Sequence, residues 1–287
     1  MINKLVIIGV GLIGGSFALA LREAGLVREV AGVGRSLENL SAALGTYVID
    51  SFGQDAAQAV PGADLVLLAV PVGQMGSILQ SIAPHLEAHT VISDVGSTKQ
   101  DVAALARQHL GEQVARFVPG HPIAGSEFSG VKATRGDLFR QRNVVLTPLA
   151  ETDPAATALL SSLWQGCGAT VSEMSPAQHD ALFAAVSHLP HVLAFALVDY
   201  IAAQANAEQL FEFAASGFRD YTRIAGSSPE MWRDICLANR EALMQQIGGY
   251  EQELARIKAM IATNDAAGLA TLFERARHAR QNYLKNT

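Results

Sequence analysis

The side chains best suited to chemistry in this chain are a few histidines, arginines and hydroxyls set among apolar or glycine-rich neighbours. Gly120-His121-Pro122 holds an imidazole between a flexible residue and a proline that forces the preceding position into extended backbone. An imidazole titrating near neutrality suits a general base. A loop histidine more often has a structural job, but the Gly/Pro bracket beside a nucleotide pocket favours chemistry here. Ala185-Val186-Ser187-His188-Leu189-Pro190-His191 carries two more imidazoles on one helical face, and Pro190 frees the carbonyl of Val186. No third ligand follows at a suitable spacing, so no metal site is expected, and at least one of the pair should face an active cleft. Phe218-Arg219-Asp220-Tyr221-Thr222-Arg223 puts two arginines one helical turn apart, with Asp220 in reach of Arg223. That pattern fits either a salt bridge between helices or capture of an anionic substrate, where each charge-assisted hydrogen bond contributes about 1.5–3 kcal/mol. Ser97 offers a hydroxyl just beyond an apolar run.

These groups need a cofactor, and the start of the chain supplies its cradle. Leu5–Ile8 is an apolar, β-branched run that feeds into Gly9-Val10-Gly11-Leu12-Ile13-Gly14, after which a helical pattern begins. Gly9 makes the tight turn, Gly11 lets the backbone approach a pyrophosphate, and Gly14 lets helix and strand pack closely. The helix start at Leu12 and Ile13 presents unpaired N–H groups to the phosphates. A second strand, Glu29–Val33, ends in Gly34-Arg35-Ser36. An acid that would hold the ribose hydroxyls of NAD is missing there, while Arg35 and Ser36 suit a 2′-phosphate, so NADP is expected over NAD. Val70 and Pro71 close a third strand beside the same site.

Further strands are expected at Asp64–Pro71, Thr90–Val95 and Arg116–Pro119, with helices near Met75–Ile82 and Asp101–Leu110. Asn143–Thr147 and Ala169–Ser172 read as edge strands flanking a helix at Ala155–Trp164. The alternation implies an α/β, Rossmann-type, doubly wound parallel sheet, whose ligands lie beyond the carboxyl ends of the strands. Pro71, Ser97 and His121 should therefore gather around the nicotinamide. From Ser175-Pro176 onward the strand signal ends, and helices are expected over Pro176–Ala205, Ala207–Ser216, Pro229–Thr263 and Ala266–Asn286. The chain thus divides into a dinucleotide-binding domain (1–174) and an all-α domain (175–287) for substrate binding and dimerisation. Ile247, Tyr250, Leu254, Ile257 and Ile261 form a narrow apolar seam, which favours a homodimer built through the helical domain.

The 287 residues are 49% hydrophobic with a net charge of −6, which describes a folded globular protein and argues against nucleic acid or an anionic membrane as partner. Two cysteines, Cys167 and Cys236, form no CxxC pair. With no signal-peptide cleavage pattern and no uninterrupted apolar run of spanning length, a cytoplasmic location is expected. No internal repeat or low-complexity tract is visible.

The sequence resembles the prephenate/arogenate dehydrogenase family of tyrosine synthesis over essentially its whole length. The resemblance rests on Gly9–Ser16 (GVGLIGGS), Asp94–Lys99 (DVGSTK), Gly120–Gly130 (GHPIAGSEFSG), Ala185–His191 (AVSHLPH) and Gly217–Ala225 (GFRDYTRIA). It implies oxidative decarboxylation of a cyclohexadienol bearing a ring carboxylate and a side-chain carboxylate. His121 is then the base that takes the hydroxyl proton while hydride passes to the nicotinamide, and Ser97 bonds that hydroxyl or the imidazole. Arg223 holds a substrate carboxylate, Ser126 and Glu127 line and gate the pocket, Trp232 closes it, and His191 faces the side chain. His188 and Arg219 join them as substrate-binding candidates. An imidazole at 191 suits the ketone of prephenate better than the ammonium of arogenate, with arogenate also accepted. The resemblance also implies a form without a fused mutase or regulatory ACT domain, so inhibition by tyrosine would be competitive. Two alternatives are a β-hydroxyacid dehydrogenase or imine reductase, which would need a lysine inside the helical core, and an NADP sensor without catalysis.

Overall fold

The computed structural model describes residues 1–126, 128 and 130–285. Six strands, β1 (Ile2–Ile8), β2 (Val27–Val33), β3 (Ser51–Gly53), β4 (Leu65–Leu68), β5 (Val91–Asp94) and β6 (Phe117–Val118), pair in parallel in the order β3-β2-β1-β4-β5-β6. β1 is buried on both faces, which is why its sequence is a continuous apolar run. Leu5 and Ile7 point into one core with Phe17, Leu21 and Trp164; Val6 and Ile8 point into the other with Val66, Leu68, Met75 and Leu79. Helices α1 (Leu12–Glu23), α2 (Leu37–Gly45), α3 (Ala56–Ala59), α4 (Val72–Ile82) and α5 (Gln100–His109) are the crossovers. The order reverses between β1 and β4, and the crevice at such a switch point is where a doubly wound sheet binds its ligand. Sequence reading finds no β3, because three residues at a sheet edge carry no periodic signal.

A second, smaller sheet departs from the expected pattern. β7 (Gly120–Pro122), β8 (Asn143–Leu146) and β9 (Thr170–Glu173) form it, with α6 (Pro154–Gly166) between the last two. β7 runs antiparallel to β8, and β8 is its central strand, so neither Asn143–Thr147 nor Ala169–Ser172 extends the large sheet. The cause lies at Pro119, which has no N–H to continue the ladder of β6. The chain swings away there, and the Pro119 carbonyl accepts from Thr147 N at 2.9 Å. His121 consequently sits within β7, opposite Val145, and not at the end of a main-sheet strand.

α7 (Pro176–Phe183) opens with a capping box in which Ser175 and Gln178 satisfy each other's backbone N–H. The single helix expected to run to Ala205 is broken by a π-turn at Ala184–His188 before α8 (Leu189–Ala202). Pro190 can neither donate to Val186 nor tolerate its carbonyl at normal spacing, and the widened turn absorbs both problems. α9 (Ala207–Glu212), α10 (Ser216–Thr222) and α11 (Pro229–Ala238) follow, with a 3₁₀ turn at Arg223–Gly226. The helix expected to reach Thr263 also breaks, at Asn239, whose ψ of 36° leaves helical geometry. Among the described residues the run Pro176–Ala202, with a mean hydropathy of 1.9, is long and apolar enough to cross a membrane by length and composition alone, contrary to expectation. Of its charged and imidazole groups, His179, Asp180 and His188 are buried, His191 is half-buried and Asp199 is exposed. The chain forms two compact units, Met1–Arg240 and a second from Glu241 onward. The second consists of α12 (Arg240–Ala262) and α13 (Ala266–Lys285), and on α12 Tyr250, Leu254 and Ile261 of the apolar seam are exposed.

Candidate active site

Beyond the carboxyl ends of β1, β2 and β4 lies an open groove of about 610 Å³. Gly9, Gly11, Arg35, Ser36, Val70 and Pro71 line it, and among the described residues its lining contains no Asp or Glu. Gly9 has φ +103°, and a Cβ there would fall 2.3 Å from the Ala69 carbonyl oxygen, so only glycine makes this turn. A Cβ on Gly14 would meet Gly9 O at 2.6 Å, which is the close strand–helix packing expected of that position. Gly11 differs: a Cβ there would touch nothing within 4 Å. The space it leaves suits a ligand rather than the fold. Gly11 also caps α1 without a side-chain acceptor, so the first N–H groups of that helix, at Leu12, Ile13 and Gly14, have no cap partner. Open space, unpaired donors and a helix N-terminus together fit the pyrophosphate of a dinucleotide. Leu12, however, lines a different cavity, described below, and Ile13 and Gly14 serve through the helix turn instead of the groove wall. Arg35 is exposed and forms no ion pair among the described residues, while Ser36 caps α2 by accepting from Asn39 N at 3.2 Å.

Farther along the same edge of the sheet is a cluster of buried imidazoles. Asp94, at the end of β5, accepts from Gly96 N at 2.7 Å and Gly120 N at 3.2 Å, and pairs with the fully buried Lys99. This ties β7 to the main sheet and fixes His121. His121 Nδ1 lies 2.8 Å from Nε2 of His179, and His179 Nδ1 lies 2.8 Å from Asp180 Oδ1. The Asp180 carboxylate also accepts from Lys99 N at 2.8 Å and Gln100 N at 2.9 Å, the start of α5. Phe183 packs its ring 4.8 Å from that of His121. Burial, His179, Lys99 and His188 hold the His121 imidazole well below its ordinary range, so it is a neutral base at physiological pH. His179 is lowered by burial, and the Asp180 carboxyl is kept below its usual range by the His179 and backbone hydrogen bonds, which outweigh the opposing effect of its own burial. His188 is fully buried and pushed down to about 4, chiefly by desolvation. Its Nδ1 lies 3.1 Å from Asn239 Nδ2, which also donates to the Asp180 carbonyl at 2.8 Å. Among the described residues no side chain or carbonyl meets His188 Nε2 at full hydrogen-bond geometry, and the Ser97 backbone is the polar group that partly offsets the burial of this imidazole.

The expected substrate side is only partly assembled around this cluster. Trp232 stacks on His191 at 3.7 Å and meets His188 edge-on at 6.0 Å. His191 Nδ1 donates to the Ser187 carbonyl at 2.8 Å, and its imidazole is lowered first by burial and then by the positive Arg223 nearby. Arg223 and Arg219 are both exposed. The salt bridge of Arg223 with Asp220 does not form among the described residues, because α10 ends at Thr222 and Arg223 begins the tighter 3₁₀ turn. Ser97 is half-buried, and its hydroxyl makes no hydrogen bond to His121; His179 occupies that role. Ser126 is exposed and turns back onto Phe128 O at 3.1 Å. It lines a separate cavity of about 650 Å³ with Leu12, Lys132, Arg135 and Arg142. Glu127 lies outside the described residues. His179, Asp180 and Asn239 went unread in the sequence, and Asp94 and Lys99 entered only as the ends of the DVGSTK motif, without a role. The one available signal was a His-Asp pair beginning an apolar helix.

A sheet that cradles a dinucleotide beside a buried neutral base is the working arrangement of a nicotinamide-dependent dehydrogenase, the class that fold and site define together. Residues 17–173 match the family description "Prephenate dehydrogenase, nucleotide-binding domain" and residues 175–275 match "Prephenate dehydrogenase, dimerization domain". The chain is 39% identical to a prephenate dehydrogenase of Bacillus subtilis (strain 168), over 98% of this chain and 76% of that protein. It is 34% identical to the cyclohexadienyl dehydrogenase of Zymomonas mobilis, over 97% and 95%. The crystal structure of prephenate dehydrogenase from A. aeolicus in complex with hydroxyphenyl propionate and NAD+ superposes with a TM-score of 0.92 at 36% identity, covering 98% of each chain. This chain belongs to the prephenate/arogenate dehydrogenase family and is an oxidoreductase of tyrosine biosynthesis.

Proposed function

We propose that the protein oxidatively decarboxylates prephenate, and accepts arogenate as well, with NADP as the preferred cofactor. The observation that carries this reading is the buried His121, held neutral where β7 is tied to the carboxyl end of β5, on the same edge of the sheet as the glycine-built groove. A bound nicotinamide dinucleotide supplies the hydride acceptor. Gly9, Gly11 and the first turn of α1 hold its phosphates, Val70 and Pro71 wall it, and Arg35 and Ser36 receive the 2′-phosphate. The absence of Asp and Glu among the described lining residues of the groove supports NADP, since a carboxylate there would repel that phosphate. His121 accepts the proton of the ring hydroxyl while the hydrogen on the same carbon leaves as the hydride that a bound nicotinamide would accept, so that a carbonyl develops at that carbon. The electron pair of the breaking C–CO2 bond then enters the ring, and aromatisation makes the step effectively irreversible. Arg223 holds the ring carboxylate, Ser97 aligns the hydroxyl, and His191, stacked on Trp232, faces the side chain. His188, Arg219, Ser126 and Glu127 complete the substrate side in this reading.

The imidazole at 191 supports the preference for prephenate, and the relationship to a cyclohexadienyl dehydrogenase supports acceptance of arogenate. We further infer a division at residue 174 between a nucleotide-binding and a helical domain, and a cytoplasmic homodimer joined through the latter. The apolar run Pro176–Ala202, of which 22% of the most apolar window is buried, and the exposed seam on α12 support that interface. Steady-state reduction of NAD and NADP, each with prephenate and with arogenate, tests the reading. Turnover with prephenate and NADP is expected to be fastest. An NAD-only enzyme overturns the reading of Arg35 and Ser36, and no turnover in any combination by protein that still binds nucleotide overturns the catalytic reading.

A further inference from the structure

We propose that His179 and Asp180 form a positioning relay behind His121 that fixes the tautomer in which His121 Nε2 carries the free lone pair. The proposal rests on the reading of His121 as the base. Asp180 receives two backbone N–H groups from the start of α5, an environment that selects the ionised, acceptor-only carboxylate. His179 Nδ1, 2.8 Å from that carboxylate, must therefore carry the proton. In a neutral His179 the other nitrogen, Nε2, is then an acceptor. It faces His121 Nδ1 at 2.8 Å, so Nδ1 of His121 is the donor and Nε2 its basic atom. Either link reversed would put two protons or two lone pairs face to face in a buried contact.

The relay has a second property. Proton uptake at His121 Nε2 creates an imidazolium, and the carboxylate two hydrogen bonds away is the group that stabilises it. The titratable groups around the pair are Asp94 at the end of β5, Lys99 at the start of α5, Asp101 within α5, and His188 from the π-turn. Lys99 opposes the imidazolium, and Asp180 and Asp94 favour it. Phe183 closes the remaining side with a ring that offers no hydrogen bond to either imidazole. His179 and Asp180 are thus positioning residues, acting on the reaction only through His121.

Asp180→Asn in the full-length enzyme is the test. Asp180 Oδ1 meets both Lys99 N and His179 Nδ1, and Oδ2 accepts from Gln100 N. An amide therefore either keeps its oxygen at Oδ1 and removes only the negative charge, or turns its NH2 to His179 Nδ1, reverses both links and leaves His121 Nε2 protonated. The kcat is expected to fall about 10²–10⁴-fold across the neutral plateau, with KM for the substrate and Kd for nucleotide unchanged. Raising the pH should not restore it. His179→Gln, whose amide oxygen can accept from His121 Nδ1, should retain most of the turnover, whereas His179→Leu should not. Imidazole nitrogen chemical shifts provide a readout independent of turnover, and they should show His121 Nδ1 protonated in the parent. An unaltered kcat, a loss confined to KM or folding, equal loss in His179→Gln and His179→Leu, or the opposite tautomer in the parent each overturn the relay. His121→Asn separates this from the parent reading. If that variant also turns over normally, His121 is not the base; if it is inactive while Asp180→Asn is normal, only the relay fails.

Discussion

The nucleotide groove and the imidazole cluster lie along the same edge of one sheet and are built on opposite principles. The groove is made of backbone and empty space: its key residues are glycines, its donors are main-chain N–H groups, and its single charge, Arg35, stands exposed. The cluster is made of side chains with almost no space: Lys99, His179 and His188 are fully buried, and nearly every polar atom is matched to another. A ligand that supplies its own charges needs a site that stays open and pre-formed. A base that must hold one protonation state needs surroundings that leave it no alternative. Variants should therefore fail differently in the two regions.

The contrast is sharpest at His121. His121→Asn is expected to lower kcat about 10²–10⁴-fold while leaving nucleotide affinity intact, measured by steady-state kinetics and calorimetric titration. Loss of nucleotide binding in that variant would break the separation between the regions. Next in size is Lys99→Met, which strands the Asp94 carboxylate without its partner in the core. A loss of about 3–5 kcal/mol in denaturant unfolding is expected, because a buried ion pair is costly to break from one side. Arg35→Ala probes the groove. It should weaken NADP binding by about 1.5–3 kcal/mol without changing NAD binding or thermal stability. The smallest effect is a pH slope. His188 is lowered from 6.5 to about 4, so between those values the unfolded chain binds a proton that the folded chain refuses. Its contribution to stability is complete above pH 6.5 and is lost as the pH falls towards 4, at no more than about 1.4 kcal/mol per pH unit. Asp180, His179 and His191 face it, and His188→Gln should flatten that part of the stability curve.

The same contrast explains what could be read from the sequence. Gly9, Gly11 and Gly14 work through local spacing, so their roles at the turn, the open cradle and the close packing are written within one short stretch. The alternation of strands and helices followed for the same reason, since each element declares itself by its own period. His121 was legible because Gly120 and Pro122 bracket it. His179 and Asp180 were not, because the first finds its partner 58 residues upstream and the second caps a helix about 80 residues upstream. Asn239 was hidden differently: in a long helical pattern, nothing local marks the residue that leaves the helix to bond Asp180 and His188. The antiparallel β7 was also illegible, since the missing N–H of Pro119 has consequences only once Thr147 is in place.

α5 has no N-cap of its own, since Lys99 supplies no side-chain acceptor. Its opening amides are satisfied by Asp180, which leaves the ribosome long after them. During synthesis the large sheet can assemble first, but the start of α5, together with the adjoining Ser97 and Lys99, must wait with open donors until α7 emerges and docks. The order of events built into the chain is therefore groove before base: a nascent protein gains its cofactor cradle before it gains a correctly seated His121.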